Sequence, residues 1–252
     1  MKRTSALFST PSLAAWCRLG FTLDARSLAA FRIALGLILV ADCVLRFRTL
    51  TLMFAPDGVF PPDVLRDFQG TPAIWSLALL GDATWCGAAV LAMEGVAGAW
   101  LATGVASRAA AIVAWVATVS VVHRTAPSAN AGDCLLVCLL FWSMFLPLGA
   151  AWGVRRRSLS AAGSVLSVAS AALVLQVAAV YLGAGLAKLN PAWLSGTAVS
   201  YALSVHDHGS PLGMAVAGCG WLTRPATWAI LAIEIGGPLA LVLAPKPAVR
   251  GC

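Results

Sequence analysis

Charge is what this chain has least of. Only 11% of its 252 residues are charged, ten are acidic, and Glu94 and Glu234 are the only glutamates, whereas 60% are hydrophobic. A water-soluble domain of this size could not cover its surface with so few charges, so the chain is read as an integral membrane protein. The marks of disulfide and zinc chemistry are also missing. Its seven cysteines are an odd number, form no C-x-x-C pair and lie mostly in apolar runs, where cysteine behaves as a small hydrophobe. No metal site is predicted. His206 and His208 flank Asp207, but two imidazoles at i and i+2 with one carboxylate are a weak ligand set, and a solvated turn accounts for them. A cleavable leader is not indicated either. MKRTSALFSTPSLAAW has a basic head, yet Pro11 interrupts the apolar stretch, and residues 1–27 are expected to form a cytoplasmic tail.

What is present is a series of long apolar runs. A spanning helix needs about 20 predominantly apolar residues, and six stretches qualify: 28–45, 83–103, 108–122, 133–150, 163–187 and 225–244. The expected fold is all-α, a polytopic transmembrane helical bundle forming one domain over residues 1–252. Small-residue spacings, such as Gly95 with Gly98 and Gly183 with Gly185, allow helices to approach closely in lipid. Two long connections, 46–81 and 190–223, hold apolar pieces too short to span, separated by turn signals such as APDGVFPPD and HGSP. They are expected to fold as short interfacial helices on the outer face.

The net charge of +7 does not point to nucleic acid, because membrane proteins gather Lys and Arg in cytoplasmic loops. The expected partner is the lipid bilayer. With the N-terminus inside, inner segments hold ten Lys and Arg, including the Arg155, Arg156, Arg157 run, and outer segments hold six. This asymmetry predicts that both termini are cytoplasmic.

Ionisable groups inside spans are costly and are site candidates by default. Arg32 and Asp42 fall in the first span, Glu94 in the second, Asp133 at the start of the fourth and Glu234 in the sixth. Each has a structural explanation beside the functional one. Arg32, near a helix end, can snorkel to headgroups, the carboxylates can pair with arginines of neighbouring helices, and Asp133 with Asn130 can cap a helix start. Glu94 and Glu234 are expected to face the bundle interior. Lys188 ends the fifth span in YLGAGLAKLNPAWLSG, beside glycines that leave the helix surface bare. It either snorkels or, held in apolar surroundings, serves as a base. The second alternative places it in a cavity roofed by the apolar segment from Trp193 to Leu203.

The same stretch resembles the motif, an aromatic then AG-x-x-K-L and W-x-x-G, of the vitamin K-dependent gamma-glutamyl carboxylase and its bacterial relatives, the HTTM (horizontally transferred transmembrane) domain proteins. RSLAAFRIALGLILVADCVLRF, LATGVASRAA, HRTAPSANAGDCLLVCLLFWSMFLPLG and AILAIEIGGPLALVLAP follow in the family's order, so the resemblance covers nearly the whole chain. It implies a multi-pass protein of the bacterial inner membrane with Lys188 as catalytic base on a reduced quinone cofactor or another lipid-soluble small molecule, and Tyr181, Gly185 and Trp193 as substrate-binding residues. It also implies an alternative, a non-enzymatic membrane partner or maturation factor for a secreted peptide. The chain departs from the carboxylase in two respects: Gly132 stands about where that enzyme has a histidine, and the lumenal substrate domain has no counterpart.

Overall fold

The computed structural model describes residues 20–68, 75–154, 163–205 and 210–243. These fall into two compact units, one spanning residues 22–170 and one made chiefly of residues 171–243. The tail before Gly20, the Arg155–Arg157 run and the cluster of His206, Asp207 and His208 lie outside the described residues.

The first unit opens with a two-residue antiparallel pairing of β1 (Leu23–Asp24) with β2 (Ser164–Val165). Asp24 then caps α1 (Ala25–Phe47), its Oδ2 accepting from the backbone N–H of Arg26 at 2.9 Å and of Ser27 at 3.2 Å. That cap satisfies otherwise orphaned donors and starts the helix three residues earlier than hydropathy places it. Short helices α2 (Leu50–Phe54) and α3 (Pro62–Phe68) follow, then the long α4 (Thr84–Thr103) and α5 (Ser107–Arg124), and then α6 (Ala131–Ser143).

Helix α1 buries Leu28, Arg32, Leu35, Gly36 and Leu39, a stripe at helical spacing, while Leu37, Ile38, Val44 and Leu45 on its other faces stay exposed. A helix apolar all round, with one stripe against protein, is suited to lipid on the remaining faces. The α1 stripe meets α4 through glycines. A Cβ at Gly98 would come within 2.8 Å of the Gly36 carbonyl oxygen and 2.7 Å of the Leu39 Cβ, and one at Gly36 would meet the Gly98 carbonyl oxygen at 2.5 Å. Two backbones this close leave no room for side chains, as at small-residue interfaces in membranes. A core of Phe54, Ala78, Val90, Leu91 and Val121 then joins the 46–81 connection to α4 and α5.

The second unit holds α7 (Val168–Ala187), all but its first turn, then α8 (Pro191–Leu194), α9 (Ala198–Ser204), α10 (Pro211–Ala217) and α11 (Gly220–Leu243). The three short helices occupy the 190–223 connection, and α9 and α10 pack on each other and on α11.

Four helices among the described residues, α1, α4, α7 and α11, are long and apolar enough to cross a membrane. The stretches at 108–122 and 133–150 differ. Helix α5 carries Arg108 near one end and His123 and Arg124 at the other. Helix α6 stops at Ser143, and at about 1.5 Å per residue its 13 residues reach only about 20 Å, short of the roughly 30 Å hydrocarbon core. Residues 144–152 turn instead of continuing the helix; Pro147 and Gly149, both poor helix formers, lie among them.

Gly98→Val should cost about 1–3 kcal/mol by overpacking, whereas Gly183→Ala, where a Cβ would meet nothing within 4 Å, should be neutral or slightly stabilising. Detergent-induced unfolding followed by circular dichroism reads both.

Candidate functional site

Lys188 follows the last residue of α7, and its backbone N–H still bonds back to the carbonyls of Ala184 at 3.2 Å and Gly185 at 3.1 Å. The side chain is therefore aimed by the helix. Its Nζ donates to both carboxylate oxygens of Glu234, at 2.7 Å to Oε1 and 2.6 Å to Oε2. The two groups are 25% and 16% exposed, so the pair is partly withdrawn from solvent. Trp193 completes the set, with Nζ lying 5.2 Å from its ring centroid, within the range of a cation–π contact.

Each partner has a local reason for its place. On α7, Gly185 lets α11 come close: a Cβ there would collide with Ile235 at 2.7 Å and with the Glu234 backbone at 3.2 Å. Gly185 therefore gives its bare surface to a neighbouring helix. Gly183 does face open space. On α11, Pro238 has no N–H to give the Glu234 carbonyl, so the helix ladder is interrupted at the residue that carries the carboxylate. The Trp193 segment begins with Asn190, which caps α8, and Pro191 at the first helical position. It is fastened to α11 by Trp228 Nε1, which donates to the Leu194 carbonyl at 3.2 Å, and by Thr227 Oγ1, which accepts from the Val199 N–H at 3.2 Å. Between them Gly196 takes φ +78°, a left-handed conformation that favours glycine, and its missing Cβ makes room for Arg224 and Trp228. Tyr181, two helical turns before Lys188 on α7, is exposed.

The remaining intramembrane polar residues lie in the first unit and serve different ends. Arg46 joins two helices: its Nε donates to Asp42 on its own helix at 2.6 Å, and its Nη2 to Asp133 on α6 at 2.7 Å. Asp133 also closes a reciprocal cap with Asn130 at the start of α6. Asp133 thus caps its helix and pairs with an arginine of a neighbouring one, whereas Asp42 pairs within its own helix and not across helices as expected. Glu94 is fully buried and finds a hydroxyl rather than an arginine, accepting from Thr118 Oγ1 on α5 at 2.8 Å. Arg32 overturns the snorkelling alternative. It is 0% exposed, and its guanidinium turns inward to donate to the carbonyls of Leu148 at 3.1 Å and Trp152 at 2.9 Å. Those carbonyls lie beyond the end of α6, where no helix partner takes them up, so the arginine stabilises a turn.

Two features were not anticipated. Arg124, 1% exposed, donates to the carbonyls of Phe54 at 3.0 Å and Phe60 at 2.8 Å and sits over the Phe54 ring. It pins the 46–81 connection onto α5, as does Ser76, whose hydroxyl donates to the Ser120 carbonyl at 2.6 Å. The other is the choice of Glu234 as the partner of Lys188. Composition gave no signal that would choose it over Glu94, since both glutamates lie in apolar runs.

A double-mutant cycle on Lys188→Met and Glu234→Gln should return a coupling of about 1–3 kcal/mol, with either single variant less stable than the double. No protein-family profile, curated protein or solved structure matches the chain.

Proposed function

We propose that this is a multi-pass protein of the bacterial inner membrane, related to the vitamin K-dependent gamma-carboxylases, in which Lys188 acts as a base on a lipid-soluble substrate bearing an acidic hydroxyl, of which a reduced quinone is the type. The reading rests on the bidentate contact of Lys188 with Glu234. An amine accepts a proton only after giving up its own, and Glu234 is an acceptor within hydrogen-bond reach. The substrate O–H proton passes to Nζ, the proton Nζ has given up stays on Glu234, and the substrate anion is left beside the ammonium. Charge is conserved within the site, which matters where water is scarce.

The residues present fit a planar hydroxylated ring: Trp193 offers an aromatic face beside Nζ, and the exposed Tyr181 lies on the same helix. A reduced quinone there would supply the acidic hydroxyl. Carboxylation of a protein glutamate is not part of the proposal. Gly132, at the carboxylase histidine's approximate place, offers no side chain to act on a substrate, and its backbone N–H is engaged by the Asn130 side chain at 2.7 Å. The proposal includes six passes with both termini cytoplasmic: α5 makes one of the remaining two, and the short α6 makes the other together with the turn of residues 144–150, whose non-helical backbone is tolerated at membrane depth where protein such as Arg32 satisfies it. The ten-to-six asymmetry of Lys and Arg supports it.

Two measurements test this reading. Purified protein in nanodiscs, mixed anaerobically with a reduced naphthoquinone, should convert it to the anion with its red-shifted absorption. Lys188→Arg, which keeps the charge but cannot take up a proton, should lower the rate by about 100-fold. An unchanged rate in that variant, or no anion with the unaltered protein, removes the base. For the topology, a cysteine at position 156 should react with an impermeant maleimide only from the cytoplasmic side; labelling from outside inverts it.

A further inference from the structure

The first unit contains a cavity of about 760 Å³ at the turn between α4 and α5, lined by residues 104–109 with Ile112 and by Pro147, Gly149 and Ala150. Its wall is mainly apolar, and its one charged residue is Arg108. No acidic side chain contributes to it.

A second cation stands directly behind that wall. The guanidinium of Arg32 lies against Gly104, so close that a Cβ there would collide with Nη1. It also holds the carbonyl of Leu148, between the lining residues Pro147 and Gly149. Arg32 is fully buried, makes no ion pair among the described residues, and its Nε has no hydrogen-bond partner. Arg108 donates only its Nε, to the Met144 carbonyl at 2.9 Å, which leaves its two terminal nitrogens without a partner among the described residues.

Two arginines thus flank one apolar cavity with no carboxylate to answer them. Elsewhere in this unit, Arg46 is matched by two carboxylates and Arg66 by Asp82 at 2.6 Å, while the buried Arg124 is met by two carbonyls and the Phe54 ring. A guanidinium withdrawn from water keeps an uncompensated charge at a cost, even when carbonyl dipoles offset part of it. An anion in the cavity supplies the missing charge, and an apolar lining suits an anion that carries acyl chains. The turn joins the ends of two long apolar helices, where a bilayer places its headgroups, and basic pockets between helices are suited to anionic headgroups.

We propose that this cavity binds the headgroup of an anionic phospholipid, its phosphate meeting the free nitrogens of Arg108 at the mouth, its negative charge offsetting Arg32 behind the wall, and the upper acyl chain lying on the apolar lining. The proposal does not depend on Lys188.

The test uses the full chain in nanodiscs of phosphatidylcholine doped with phosphatidylglycerol, with lipid retention after release read by native mass spectrometry. The unaltered protein should retain phosphatidylglycerol in preference to phosphatidylcholine. Arg108→Gln should lower that retention about fivefold or more, by the roughly 1 kcal/mol that one arginine contributes at a lipid surface. Ala109→Trp, which fills the cavity without altering charge, should lower it as well, while Arg26→Gln, an exposed arginine at the start of α1, should not. Equal retention of the two lipids, no loss in either cavity variant, or the same loss in Arg26→Gln overturns the site. Displacement of the lipid by millimolar inorganic phosphate overturns the lipid as its occupant.

Discussion

A charge withdrawn from water in an apolar chain must be met by dipoles or by an opposite charge, and the two units meet it in different ways. In the first, two buried arginines are met mainly by backbone. Arg32 takes carbonyls past the end of α6, and Arg124 takes carbonyls of the 46–81 connection. These are groups that helices leave unsatisfied at their ends and that turns leave unsatisfied throughout. Each arginine therefore does two tasks at once, and the irregular segments of the unit stay folded because a guanidinium holds them. Loss of either would expose a buried carbonyl pair as well as a charge, which is why such residues are hard to replace even where no chemistry depends on them.

In the second unit the answer is another side chain. Lys188 and Glu234 neutralise one another, and the contact requires the close approach of α7 and α11 that Gly185 permits. The pair differs from Arg46 with Asp42 and Asp133 in one chemical respect. An arginine cannot give up its proton under ordinary conditions, whereas a lysine can. An Arg–Asp pair is accordingly a fastening, and the Lys–Glu pair is the one to which the proposed proton transfer is assigned. Trp193, carried on a segment tied to α11 through Trp228 and Thr227, gives that pair an apolar wall.

The long helices were legible in the sequence because length and apolarity are one-dimensional properties: 83–103 was expected where α4 occupies Thr84–Thr103, and 28–45 where α1 occupies Ala25–Phe47. What hydropathy does not carry is direction. Leu35 is buried and Leu37 exposed on the same helix, and both read alike because lipid and protein interior are both apolar. The stretch at 133–150 stayed apolar through the end of α6, so composition ran on where the backbone had already turned. Lys188 was legible as a site candidate from its motif, and Glu234 from its cost in lipid. Their contact spans 46 residues and depends on the close approach of two helices at Gly185, which neither residue type nor hydropathy displays. Arg32 stayed open between two alternatives because a position near a helix end says nothing about which way a long side chain turns.

The account stands on whether Lys188 is held by Glu234 inside the bilayer or is released to the headgroups. With three lysines and two glutamates in the chain, protein carrying ¹⁵N-lysine side chains and ¹³C-glutamate carboxyls gives a nearly assigned solid-state NMR experiment in native-like membranes. The account predicts strong dipolar coupling between one lysine Nζ and one glutamate carboxyl, lost in Glu234→Gln and retained in Glu94→Gln. Absence of that coupling in membranes, with the protein folded, would contradict it.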